Sequence, residues 1–172
     1  MSRNGNGPTP GAPAAPPPQG GAPSGPAEPV PRRQLDAEVE VRCAALIAAA
    51  QAVRANAHAP YSRFAVGAAV LDEQGRIHAG CNVENAAYPQ GWCAEASALA
   101  VMVAAGGRRV LAVAVCAVAE QAVTPCGGCR QKLREFAADD CPIWVADMSS
   151  LRATHTLGEL LPFSFGPEYL LP

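Results

Sequence analysis

The chain has 172 residues, 49% hydrophobic and 16% charged, with a formal net charge of −2, which is enough for one domain with a real core. Its basic residues are scattered, adjacent only at Arg32-Arg33 and Arg108-Arg109, so the clustered Lys and Arg that track a phosphate backbone are missing and a small ligand is expected instead of nucleic acid. No apolar run is long enough to span a bilayer, since the longest, Leu99 to Ala105, stops at Gly106.

Residues 1–34 are dominated by Pro, Gly and Ala, including Pro16-Pro17-Pro18. They lack the large apolar side chains that offset ordering entropy, so a disordered tail with local polyproline character is expected, ahead of a folded domain over 35–172. No apolar stretch of signal-peptide length follows Met1, and the seven cysteines are an odd number. A cytoplasmic protein with reduced thiols is therefore expected, and in that setting clustered cysteines point to metal or catalysis.

Leu35, Val39, Cys43, Leu46, Ala50 and Val53 recur at helical spacing, and Pro60 ends the pattern. Phe64 to Leu71 reads as a strand. It turns at Asp72-Glu73-Gln74-Gly75 and resumes over Arg76 to Cys81 as a hairpin. Residues 93–105 predict an apolar helix ending at Gly106-Gly107, and Val110 to Val118 a buried strand. Residues 127–138 predict another helix, Pro142 to Ala146 a strand, and Thr154 to Leu157 a last short one. The order α-β-β-α-β-α-β-β implies an α/β fold, a sheet covered by helices on both faces.

Three cysteines stand out by placement. Cys93 opens one predicted helix, while Cys126 and Cys129, in Pro125-Cys126-Gly127-Gly128-Cys129, open another. The first turn of a helix brings residues three apart onto one face, and its free N–H groups and dipole favour thiolate. Three protein ligands leave a fourth zinc position open, the arrangement of catalytic sites. Glu95, two residues after Cys93, falls close to such a metal without being needed as a ligand. It is placed to accept a proton from a water made acidic by zinc and to return it to a substrate. Taken alone, Cys-x-x-Cys also suits a redox pair or half of a structural site. No second Cys-x-x-Cys or His pair completes a structural site here.

The chain resembles the homotetrameric cytidine deaminase family from about Tyr61 to Leu170. The strings that carry the likeness are Tyr61-Ser62-Arg63-Phe64-Ala65-Val66-Gly67-Ala68-Ala69, Gly80-Cys81-Asn82-Val83-Glu84-Asn85-Ala86-Ala87-Tyr88 and Cys93-Ala94-Glu95. Pro125-Cys126-Gly127-Gly128-Cys129-Arg130-Gln131 and Leu160-Leu161-Pro162 with Phe165-Gly166-Pro167 complete the set. The resemblance implies a three-layer α/β/α fold with a five-stranded mixed sheet, Zn²⁺ on Cys93, Cys126 and Cys129, and Glu95 as proton shuttle. It also implies hydrolysis of cytidine and deoxycytidine in pyrimidine salvage by a homotetramer. Phe64 would pack on the pyrimidine, and Asn82 and Glu84 would bind the ribose hydroxyls within a substrate-binding run Asn82, Val83, Glu84, Asn85, Ala86, Ala87 and Tyr88. Ala94 would present its N–H to the base, and carbonyls near Thr124 and Pro125 would hold the amino group. Tyr88 and Phe165 would complete a neighbouring subunit's pocket.

Read without the family, Phe64 fits a core residue, Asn82 and Asn85 fit turns, and Tyr88 fits a loop before a helix. Many family members carry Arg after Cys-Ala-Glu, where this chain has Ala96. Three thiolates on Zn²⁺ leave a net negative charge, and the two helix termini, with Arg130 or the Trp92 indole, are expected to offset it. Cys43, Cys81, Cys116 and Cys141 read as buried thiols, and His58, His78 and His155 as surface or hairpin residues. Two other functions fit the same residues: deamination of a different cytosine compound, and a binding module built on structural zinc.

Overall fold

The computed structural model describes residues 32–170, with side chains from 41 onward. The segment read as a tail lies outside the described residues except for 32–34, which open the first helix. That helix, α1 (Arg32–Arg54), is followed by the hairpin β1 (Val66–Asp72) and β2 (Ile77–Cys81), then α2 (Ala94–Ala104), β3 (Val110–Ala117) and α3 (Gly127–Arg134). β4 (Pro142–Ala146), β5 (Leu151–Thr156) and the one-turn α4 (Leu157–Leu160) complete the domain.

The sheet runs β2-β1-β3-β4-β5. Only β3 and β4 pair in parallel, joined by α3; the other neighbours are antiparallel. Alternation along β1 divides the core. Ala68 and Val70 face α2 and α3 with Leu99, Met102, Val113, Val115, Leu133 and Ile143. Ala69 and Leu71 face α1 with Leu46, Ala50, Ala114 and Trp144. Period-two side chains on central strands thus bury both faces of the sheet. Each fully buried Leu or Val side chain contributes about 1.5–3 kcal/mol of transfer free energy.

Two glycines let the helices close on the hairpin. A Cβ on Gly67 would lie 2.0 Å from the Ala50 carbonyl oxygen of α1, and one on Gly80 would lie 2.4 Å from the Ala98 nitrogen of α2. Cys81 and Cys116 both pair with Gly67, on opposite sides of β1. β2 and β3 therefore end at the same sheet edge, and the two segments leading to α2 and α3 leave from there. A crevice outside the carboxyl ends of strands is where open α/β sheets bind ligands.

The sequence reading differs from the structure at three elements. β5 begins at Leu151, because an edge strand of mixed, half-exposed residues gives no apolar period. Leu157 belongs to α4, whose start is a capping box between Thr156 and Glu159. α3 ends at Arg134: Phe136 and Ala137 supply apolar residues at helical spacing, but the chain has already turned there so that Ala137 bridges to Val110.

Candidate metal centre and ligand cavity

The first helix of the site, α2, follows Cys93 as its N-cap, and α3 follows Cys126; both caps have extended backbone, φ −75° and −65°. Their carbonyls accept the first helical hydrogen bonds, from Ser97 N–H and Arg130 N–H, each at 3.0 Å. Cys129 is one turn into α3. The three sulfurs lie within 4.8 Å of one another, and those of Cys93 and Cys126 are 3.8 Å apart. Cys129 is buried and the other two are exposed, so the cluster has a closed side and an open one.

Burial pushes the Cys129 thiol far above its ordinary value, reinforced by the Glu95 carboxylate and by the Cys93 sulfur. Burial and the neighbouring Cys126 sulfur raise Cys93. At Cys126 burial also acts upward, but the Cys129 N–H and the neighbouring thiols outweigh it, and the group lies below its usual range. Glu95, in the first turn of α2, is only 4% exposed. Three soft donors and a buried carboxylate, crowded together, suit a thiophilic divalent cation, and the donor set fits zinc.

Of the groups expected to offset the missing arginine, the two helix termini stand at the cluster, with Cys93 and Cys126 as their N-caps, while Arg130 and Trp92 have other partners. The Arg130 guanidinium donates to the Pro125 carbonyl (2.7 Å), the Leu160 carbonyl (2.7 Å) and Thr124 Oγ1 (2.9 Å), so each of its nitrogens has an oxygen acceptor. The Trp92 ring faces Lys132, whose Nζ is 6.0 Å from the ring centroid. Ala96 is buried and lines one cavity with Trp92 and Lys132.

Backbone pairing brings the second group of predicted residues to this centre. Val83 exchanges two 2.8 Å hydrogen bonds with Trp92, the residue before Cys93. On its other side it bridges to His58. The Asn82 side chain accepts from Val66 N–H (2.8 Å) and donates to the Phe64 carbonyl (2.9 Å). Glu84 accepts from Tyr61 N–H at 2.8 Å, from Ser62 N–H at 3.2 Å and from the Ser62 hydroxyl. The Ser62 hydroxyl is the main reason its carboxyl lies below the ordinary range, with burial acting against it.

A cavity of about 400 Å³ is lined by Tyr61, Ser62, Glu84, Asn85, Tyr88 and Gly91, the size of a small-molecule site. Tyr61 and Tyr88 meet across it with ring centroids 5.9 Å apart.

Several predicted residues are placed less directly. Phe64 is partly exposed beside Asn82, and the Asn85 side chain closes a turn on Ala87 N–H (2.8 Å). Ala86 and Ala87 are exposed, and Ala94 is buried at the start of α2. Phe165 lies apart from the cavity, stacked on Tyr169 at 5.3 Å, with its carbonyl held by Gln131. His78 is buried, not on the surface, with Nε2 2.8 Å from Asp72 Oδ2. Cys43 and Cys81 are half-buried, while Cys116 and Cys141 are buried.

Sequence reasoning passed over Tyr61, Ser62 and Gly91 in the cavity wall. The Ser-x-Phe spacing is a hydroxyl-turn signal that points to Ser62, whose Oγ accepts from Phe64 N–H at 3.0 Å. Among the described residues no helix is long and apolar enough to cross a membrane.

Residues 42–145 match the family model described as the cytidine and deoxycytidylate deaminase zinc-binding region. The chain is 42% identical over 125 residues to a cytidine deaminase of Sporosarcina psychrophila, covering 73% of this chain and 92% of the relative. Among solved structures it is similar to the cytidine deaminase from Burkholderia pseudomallei, at 41% identity and a TM-score of 0.68, over 71% of this chain and 98% of the other. The cytidine deaminase from Mycobacterium tuberculosis matches at 41% identity and a TM-score of 0.62, over 72% and 96%.

Proposed function

Since the chain belongs to the cytidine and deoxycytidylate deaminase family with its zinc-binding region, we propose that it hydrolyses cytidine and deoxycytidine to uridine and deoxyuridine, releasing ammonia. The observation that carries this reading is the gathering of the Cys93, Cys126 and Cys129 sulfurs at two helix starts, with the buried Glu95 carboxylate beside Cys129. These three sulfurs would hold zinc, which when bound supplies the Lewis acidity that lets water ionise near neutral pH.

The chain's own residues do the rest. Glu95 accepts a proton from the attacking water and delivers it to the pyrimidine ring nitrogen; it then takes the second proton, left on the added hydroxyl, and passes it to the amino group, which departs as ammonia as the carbonyl forms. Its burial keeps that proton from exchanging with bulk solvent. The Ala94 N–H, at an open helix start, faces the base. Glu84 and Asn82 meet the sugar hydroxyls, Phe64 packs on the ring, and the run through Val83, Asn85, Ala86, Ala87 and Tyr88 forms the rest of the wall. Pro125's carbonyl, already accepting from Arg130, keeps a lone pair for the substrate amino group.

We further propose a homotetramer in which Tyr88 and Phe165 reach a neighbouring pocket; both are well exposed on the protomer, at 76% and 57%. The folded domain over 35–172 carries the activity in the cytoplasm, where the thiols stay reduced, and it serves pyrimidine salvage.

Loss of the cytidine absorbance band on incubation with zinc-loaded protein tests the reading, with a panel of cytosine nucleosides alongside. Full zinc with no turnover of any of them would leave a binding module instead.

A further inference from the structure

The Ser62 hydroxyl stands between two residues assigned to nucleoside recognition. It donates to Glu84 Oε1 and accepts from the Phe64 N–H at 3.0 Å, so its one proton and a lone pair are both engaged. Glu84 Oε2 is held separately, by the Tyr61 and Ser62 N–H groups. Oε1 therefore takes its direction from the Ser62 hydroxyl. Ser62 and Glu84 line the same 400 Å³ cavity.

The loop is built for this contact. Arg63 adopts φ 59°, a left-handed conformation that is unfavourable for a non-glycine residue, and its N–H is tied to the Ala59 carbonyl at 3.0 Å. That reversal lets one serine side chain reach both a carboxylate before it in space and an amide after it in sequence. Backbone strain that surrounding contacts hold in place is characteristic of ligand clamps.

We propose that Ser62 is a specificity-determining positioning residue, fixing Glu84 Oε1 where a sugar hydroxyl of the nucleoside is bound. The inference rests on the reading of Glu84 as the sugar-binding carboxylate. A carboxylate held ionised accepts hydrogen bonds only, which matches a ligand that arrives with O–H donors. Ser62 touches no reacting atom, so it acts on affinity for the sugar and leaves the proton transfers of Glu95 alone.

Steady-state kinetics of the zinc-loaded full chain on cytidine and on 2′,3′-dideoxycytidine, which lacks the sugar hydroxyls in question, test the proposal. The wild type should show a lower KM for cytidine. In Ser62→Ala the cytidine KM should rise about tenfold, the loss of one hydrogen bond to a charged group. Its dideoxycytidine KM and its cytidine kcat should each change by less than about twofold. Ser62→Thr, which restores the hydroxyl, should recover most of the cytidine KM. Thermal unfolding and zinc content, both unchanged, would show that the fold and the metal centre persist.

An unchanged cytidine KM, or an equal rise for both nucleosides, overturns the role of Ser62 while the Glu84 reading stands, provided Glu84→Gln still erases the preference between them. A wild type that does not distinguish the two nucleosides overturns the Glu84 reading, and the Ser62 proposal with it.

Discussion

Glu95 is almost sealed from solvent in the first turn of α2, beside a buried thiol. Glu95→Gln keeps the shape and removes the proton acceptor, so kcat on cytidine should fall by about 10²–10⁴ while metal analysis shows zinc retained. Asp72 is a second buried carboxylate, engaged by Arg76, His78 and two backbone N–H groups. Burial would raise its pKa, but these hydrogen bonds, His78's first, outweigh it and hold the carboxyl far below the ordinary value of 3.8. A depressed carboxylate lends stability that is complete above the unfolded-state pKa and fades as pH falls through the folded one. Asp72→Asn should therefore lower the unfolding temperature at pH 7, with a gap that narrows below about pH 3.8. The cysteines and Glu95 were legible in the sequence because each half of the cluster is local, Cys93 beside Glu95 and Cys126 beside Cys129, and each half opens a predicted helix, although the halves lie 33 positions apart. Ser62 and His78 were not, because Ser62 acts on a residue 22 positions away and His78 depends on the hairpin register that folds it onto Asp72.

α3 carries Cys129 in its first turn, behind its N-cap Cys126, and also holds the C-terminal segment. Arg130 bonds Leu160, Gln131 bonds Phe165, and Arg134 bonds Ser164 and Glu168. Removing the Arg130 fork by Arg130→Met should loosen the Thr124-Pro125-Cys126 segment and weaken zinc about 10–100-fold, the usual loss for a support behind a ligand. Zinc release to a chromogenic chelator measures this, and Arg130→Lys should rescue little, since an ammonium cannot span the same acceptors. At the other face, Gly67→Ala places a methyl 2.0 Å from the Ala50 oxygen. Overpacking of that kind should cost about 3 kcal/mol, read from the urea midpoint. Element order was legible because apolar periods differ between helix and strand. Ends were harder to place: Thr156-x-x-Glu159 spells a capping box, but a polar edge strand runs directly into it and masks the change of period.

At the scale of the whole molecule, the family resemblance sets the expectation for assembly, with the exposed Tyr88 and Phe165 as the residues it would engage. Sedimentation equilibrium should give a particle of four chains, each of 17.7 kDa, and Phe165→Ala should raise the cytidine KM. Sequence and protomer alone carry little of this, since an apolar α2 serves equally as core or as contact. The open side of the sulfur cluster has a further bearing on how the protein ages. Cys93 and Cys126 leave their sulfurs 3.8 Å apart, and a disulfide closes at about 2.05 Å. A short slide of two exposed side chains would join them. Chelated protein left in air should then lose two titratable thiols and its capacity to reload, and dithiothreitol should restore both. Occupied protein should keep indefinitely by comparison: the ion would act as a preservative of its own berth.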